Sequence, residues 1–282
     1  MAQAIPGACF QSLDGEGPVV ISVPHGGRAY PPGMTDDLRV PLSAVMALED
    51  RLVDLVGEAA RSIEPMLVQS TPRAWIDLNR DERERDPLID EGARVGARAS
   101  TKLRSGLGLV PRRVAGHGDI WTRRFGDAEM VARIESDHRP YHQALAERLA
   151  ATRARYGMAV LLDLHSMPPL GAPGLVPRVV IGDRHGTTAA PRFVRRIEVE
   201  ARGAGIAITR NAPYAGGYIV ERHGDPRRGI HAVQLELDRS LYLDAALEAP
   251  GPGFDATVLL VRRILAALAT EAMGQPATLA AE

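Results

Sequence analysis

MAVLLDLHSMPP, residues Met158 to Pro169, decides the fold. Its first eight residues form the most apolar run in the chain, aliphatic and β-branched, and read as a buried strand. The run ends on His165, two positions after Asp163, and a strand's period of two puts those side chains on one face. Similar runs occur at PVVISV (Pro18 to Val23), MLVQS (Met66 to Ser70), PRVVIGD (Pro177 to Asp183), GIAITRN (Gly205 to Asn211) and HAVQLEL (His231 to Leu237). Helical spacing fills the intervals at about Ser43 to Ile63, Ala128 to Tyr156, Ala190 to Ala204 and Asp255 to Ala272.

Strands alternating with helices predict an α/β fold: a three-layer α/β/α sandwich around a mixed, mainly parallel sheet. In such folds ligands collect beyond the carboxyl ends of the strands. The segments that follow the strands are polar and glycine-rich: PHGG at Pro24, HSMPP at His165, DRHG at Asp183, NAPYAGG at Asn211 and ELDRS at Glu236. The chemistry is therefore expected at one edge of the sheet.

At 282 residues the chain suits one large α/β domain, and no linker or repeat divides it. From about Asp81 to Arg124 periodicity fades among arginines and glycines, which suggests a long excursion over the site. A net charge of -1 gives no basic field for nucleic acid or anionic lipid. The single cysteine, Cys9, excludes an internal disulfide framework and any paired-thiolate zinc site, so histidines and carboxylates are the available metal ligands. The N-terminus lacks the pattern of a secretion signal and no stretch suits a membrane span, so a cytoplasmic location is expected.

His25, on a Pro-His-Gly-Gly turn after a strand, can offer a ring nitrogen to a metal or simply bond the backbone. His165 has the same choice, with Asp163 placed to orient an imidazole. Glu236 lies inside an apolar strand pattern and so needs a cation, a metal or a raised pKa; a general base uses the last, whereas a salt bridge to Arg239 would be the structural explanation. Asp50, with Glu49 and Asp54 beside it, falls on a helix where acidic residues usually face solvent. Asn79 and Arg80 offer an amide and a guanidinium that can grip a carboxylate, although Arg80 has acidic neighbours to pair with.

Taken in order, PHGGRAYP, IDLNRDERERDP, LLDLHSMP, IGDRHGT, NAPYAGGYIVERHG and QLELDRSLYLD resemble the successive motifs of the N-formylglutamate amidohydrolase family, over about Val19 to Asp244. That family is similar in layout to zinc carboxypeptidases and acyl-amino-acid deacylases. The resemblance implies a zinc carboxypeptidase-like fold, Zn2+ or another divalent metal as cofactor, and His25 and His165 as metal ligands. It implies that Asn79 and Arg80 hold a substrate carboxylate and that Glu236 is the general base and later the proton donor. Carboxypeptidase-like sites take another ligand three residues after the first histidine, where this chain has Arg28; the resemblance points instead to Asp50, with Glu49 behind it. Tyr214, Gly216, Gly217 and Arg222 match the family's substrate loop, and the glycines would let backbone donors face the substrate. The implied reaction is hydrolysis of N-formyl-L-glutamate to formate and L-glutamate, a step of histidine breakdown. The implied partner is a small molecule, and a homo-oligomer is allowed.

Other readings have weaker support. Zinc-dependent cleavage of another N-acyl amino acid or a peptide would use the same residues. RHG occurs at Arg184 and Arg222, as in histidine phosphatases, but neither follows the early strand. HRPYH, His138 to His142, spaces two histidines four apart without the intervening glutamate of HExxH, and Ser166 lacks a GxSxG turn. A non-catalytic binder would keep Asn79 and Arg80 without needing both His25 and Glu236.

Overall fold

The computed structural model describes residues 2–4, 9–94, 100–172, 174 and 176–274. The apolar runs pair into one eight-stranded sheet. In chain order the strands are β1 (Ala2–Ala4), β2 (Phe10–Leu13), β3 (Val19–Val23), β4 (Met66–Gln69), the separate ribbon β5 (Arg113–Val114) and β6 (Gly118–Asp119), then β7 (Ala159–Met167), β8 (Val179–Gly182), β9 (Ile208–Arg210) and β10 (Ile230–Asp238). The large sheet runs β1-β2-β4-β3-β7-β10-β8-β9. Its centre, β4-β3-β7-β10, is parallel, while β2 and β8 add antiparallel strands on either side.

The helices are α1 (Leu42–Met46), α2 (Val53–Ala60), α3 (Thr101–Arg104), α4 (Asp127–Arg133), α5 (Arg139–Tyr156), α6 (Pro191–Gly203), α7 (Tyr218–His223) and α8 (Phe254–Met273). The first layer comprises α2, α6 and α8. They cover the face of β7 and β10 that carries Leu162, Leu164, Val233 and Leu235. The second layer, with α4, α5 and α7, covers Leu161 and Ala232 on the opposite face. This gives the expected α/β/α sandwich.

The second face changes character along its length. Val20, Leu161 and Ala232 are apolar, but one step further toward the carboxyl ends Ser22 pairs with Asp163, Gln234 with Asp163, and Glu236 with His165. All five of these polar side chains are buried. Buried polar groups need partners, so this end of the sheet is a built polar site rather than core.

Three expectations are corrected. The helix expected over Ser43 to Ile63 is two helices: α1 ends at Met46, and α2 starts at Val53 after Leu52, which adopts a left-handed conformation at φ 56°. β1 and β2, where no strand was expected because the short FQSL run gives no strong apolar signal, pair antiparallel and extend the sheet. Six residues of the glycine-bounded NAPYAGGYIVERHG segment form α7 rather than loop. The segment Asp81 to Arg124 contributes its own fully buried Leu109 and Ile120 to the second core. Arg85 and Arg112 in it are paired with Asp90 and Asp86.

Candidate metal centre and active site

His25 follows β3 on the turn Pro24-His25-Gly26-Gly27. A side chain at Gly27 would overlap the carbonyl oxygen of Thr71 at 2.1 Å, so glycine is needed for the turn to lie against that backbone. The break between α1 and α2 brings Asp50 to the same place, where its backbone N–H donates to the His25 carbonyl at 3.0 Å. His165 projects from β7. The ligand atoms of His25, Asp50 and His165 all lie within 4.8 Å of one another, and all three residues are buried.

Both imidazoles are oriented in the same way. Nε2 of His25 meets Asp77 Oδ1 at 2.7 Å, and Nε2 of His165 meets Asp163 Oδ2 at 2.9 Å. Their Nδ1 atoms turn toward one oxygen, Asp50 Oδ2, at 3.5 Å from His25 and 2.9 Å from His165. Among the described residues, His25 Nδ1 is buried with no hydrogen-bond partner. A buried orphan nitrogen beside a carboxylate and a second imidazole is what a divalent cation would satisfy, and two nitrogens with one oxygen suit Zn2+ with a fourth position left for water. Carboxylates on the outer nitrogens fix tautomer and orientation around such an ion.

The neighbouring acids and bases are also accounted for. Glu49 accepts from Tyr30 at 2.5 Å and pairs with Arg51 at 3.0 Å, so Asp50 and not Glu49 faces the imidazoles. Arg28 forms two bonds of 2.7 Å to Asp54, away from the cluster. Burial alone would raise the Asp50 carboxyl, but the two imidazoles hold it well below the usual carboxylate range. Burial, with Asp50 adding to it, pushes Glu236 upward against the opposing pull of His165.

Glu236 sits beside His165 in the β7–β10 register. One of its oxygens accepts from Gln234 Nε2 at 2.7 Å. Arg239 does not pair with it. Instead Arg239 reaches Ser166 Oγ at 3.2 Å, the Ala47 carbonyl at 3.1 Å and Asp50 Oδ1 at 3.5 Å, steadying the oxygen of Asp50 that does not face the histidines.

The substrate-loop expectations divide. Asn79 accepts from Ile219 N–H at 2.9 Å and donates to Gln234 at 3.2 Å, so its amide is taken up by the protein and holds the first turn of α7. Arg80 is buried; it donates to the carbonyls of Leu107 at 2.8 Å and Asn79 at 2.6 Å. The Gly217 N–H donates to Gln234 at 2.8 Å rather than toward a substrate, and a side chain there would overlap the Asn79 amide at 2.3 Å. Gly216, at φ 100°, lies against Gly182. Burial raises the Tyr214 hydroxyl, and the negative charges of Glu236 and Asp50 add to the rise. Arg222 is apart: it is exposed, donates to Tyr218 Oη at 2.7 Å, and lines a surface cavity of about 730 Å³ with Asp81, Glu82, Arg83 and Arg139.

Sequence reasoning missed Asp77, Arg73, Ser22 and Tyr141. Asp77 bridges His25 and Arg73, whose Nε donates at 2.9 Å. Tyr141 meets Ser22 at 2.9 Å, and Ser22 donates to Asp163 at 2.9 Å, so a buried chain runs from α5 to His165. The signals were the i,i+4 spacing of Arg73 and Asp77 and a serine within an otherwise apolar strand. The rival motifs find no such setting: His185 is exposed, and His223 bonds another histidine.

With this geometry in view, the comparisons are specific. The model of the N-formylglutamate amidohydrolase family matches residues 17–243. The chain belongs to that family. The N-formylglutamate deformylase of Pseudomonas putida is 31% identical over 232 residues, covering 80% of this chain and 82% of the relative. That of Pseudomonas aeruginosa is 29% identical over 273 residues, covering 90% and 93%. The crystal structure of an N-formylglutamate amidohydrolase from Ralstonia eutropha JMP134 superposes with a TM-score of 0.83 at 31% identity, covering 94% of this chain and 97% of the other. Family membership, the sequence motifs and the fold thus agree. Among the described residues, no helix is long and apolar enough to cross a membrane.

Proposed function

We propose that this chain is a metal-dependent amidohydrolase that converts N-formyl-L-glutamate and water into formate and L-glutamate, the step of histidine breakdown that the family resemblance implies. The observation that carries the reading is the convergence of His25, Asp50 and His165, with Glu236 beside His165 on the next strand. Nδ1 of each histidine and a carboxylate oxygen of Asp50 would hold Zn2+. A bound zinc ion would supply Lewis acidity at the carbonyl and lower the pKa of water from 15.7 to about 7. Glu236 takes the water proton on the oxygen not bonded to Gln234, and later delivers a proton to the departing amine. The formyl C–N bond breaks, the new C–O bond completes formate, and the amine leaves on glutamate.

Cationic side chains support an anionic substrate. Arg73 is held at Nε by Asp77 and lies within electrostatic reach of Glu236 and Asp50, where it can face negative charge developing on the carbonyl oxygen. Lys102, on α3, stands 6.0 Å from the Tyr214 ring centre. Burial, with Arg80 and Arg73 nearby, lowers its pKa. Arg80 and Lys102 would receive the substrate's carboxylates, and Asn79 keeps the loop and α7 in place around them.

The test is formate and amine release by zinc-loaded protein offered N-formyl-, N-acetyl- and N-succinyl-L-glutamate and a dipeptide in parallel. The formyl compound should turn over fastest. Glu236→Gln should lower kcat by about 10²–10⁴-fold while keeping its zinc. Absence of formate release, or an unimpaired Glu236→Gln enzyme, would overturn the reading.

A further inference from the structure

The HRPYH segment, His138 to His142, has no part in the reaction above, yet it supports the site from behind. It straddles a change of helix type: a π-helical turn, Ile134–His138, leads into α5. The π turn and the four-residue spacing bring both histidines to the same loop, with ring centres 4.4 Å apart. His138 Nε2–H donates to the Arg80 carbonyl at 2.8 Å, and His142 Nε2–H donates to the Leu78 carbonyl at 3.0 Å. These carbonyls flank Asn79 on either side. His223 Nε2–H in turn donates to His142 Nδ1 at 3.0 Å, which fixes the His142 tautomer as the Nε2–H donor. Among the described residues the other nitrogen of His138 is buried without a partner, so the Arg80 carbonyl is the polar contact that anchors that ring.

We propose that His138 and His142 are positioning residues for substrate binding: a two-point clamp on the Leu78-Asn79-Arg80 backbone that aims the Arg80 guanidinium at the substrate carboxylate and the Asn79 amide at α7. Backbone carbonyls of a loop have few ways to be fixed by side chains, and neutral imidazole donors do so without adding charge beside Arg80. This inference rests on the proposed role of Arg80 in holding a carboxylate. Its signature is a change in substrate affinity larger than the change in the chemical step, because His138 and His142 touch neither the proposed metal ligands nor Glu236, and the Asn79 they bracket reaches Glu236 only through Gln234 and His165 only at 3.5 Å.

The experiment compares His138→Leu and His142→Leu with His138→Gln and His142→Gln, whose longer amide can place a donor near the Nε2 position. The leucine variants should raise KM for N-formyl-L-glutamate roughly tenfold or more, with kcat within about threefold and zinc content unchanged. The glutamine variants should recover most of the loss. If the leucine variants fail to fold, His138→Asn and His142→Asn, whose shorter amides fall short of the carbonyls, take their place with the same expectation. Unchanged KM in the donor-less variants, or a fall in kcat alone, overturns the clamp. Hydrogen exchange over residues 76–84 reads the same clamp without substrate: it should quicken in the donor-less variants and slow again in the glutamine ones, and unchanged exchange counts against it. Failure of the wild-type protein to release formate would refute the proposed reaction and leave the exchange result to decide the clamp.

Discussion

Two sets of buried histidines meet the Asp77–Arg80 segment, and their partners separate them. His25 and His165 face carboxylates: Asp77 and Asp163 on the outer nitrogens and Asp50 between the inner ones. His138, His142 and His223 face carbonyls and one another. Burial pulls the His165 imidazole down, but Asp163 and Asp50 overcome it and hold it well above its ordinary value. Nothing opposes burial strongly in the second set, so His142 is held well below, and His223 falls to about 3 with Arg222 adding to the effect. On the proposed reading the same side chain serves as a metal ligand in one place and as a neutral donor in the other. Residue type alone does not assign the chemistry; the second partner of each ring does.

The sharpest way to break this comparison is to remove the shared carboxylate. Asp50→Ala should lose zinc on dialysis and lower formate release by at least about a thousandfold, since water at the site would no longer be acidified. Metal analysis beside the assay checks it, and a variant that keeps both zinc and turnover would erase the distinction between the two sets. A smaller effect is expected one shell out. Asp163→Asn and Asp77→Asn leave the donors in place but loosen their aim, and should weaken zinc affinity about 10–100-fold in a chelator competition. Equal weakening by His142→Gln would mean that the sets are not separate.

The smallest effect concerns acidity. His223 and His231 bind protons in the folded chain only near pH 3 and 4, whereas an unfolded histidine does so near 6.5. In that window the unfolded state carries the extra protons, so stability is present above about pH 6.5 and is lost as pH falls toward 4. Urea midpoints at pH 7 and pH 5 should show the decline, and His223→Gln should flatten it. A midpoint independent of pH would contradict the neutral assignment.

Much of the fold could be read before any coordinates, because β-branched runs such as VVISV and AVLLDLH are unambiguous when separated by helical spacing. The breaks were harder. Nothing local marks Leu52 for a left-handed conformation, and it is this break that turns Asp50 inward from what reads as a solvated helix face. His25, His165 and Glu236 stood out because polar groups at the ends of apolar strands demand an explanation. Their supports did not: Asp77 lies in an irregular segment, and Arg239 contacts Asp50 across 189 residues of chain, a pairing no periodicity encodes. Asn79 was noticed for its amide, but the approach of Gly217 and the first turn of α7, which use that amide, are properties of the packed molecule.

The proposed reaction depends on two imidazoles and Asp50 forming one metal centre. Crystals of the zinc-loaded protein measured on either side of the zinc absorption edge test it most directly. One strong anomalous peak is expected within coordination distance, about 2.0–2.2 Å, of His25 Nδ1, His165 Nδ1 and an Asp50 oxygen. A zinc-dependent enzyme whose peak lies elsewhere, or one fully active with no peak there, would contradict it.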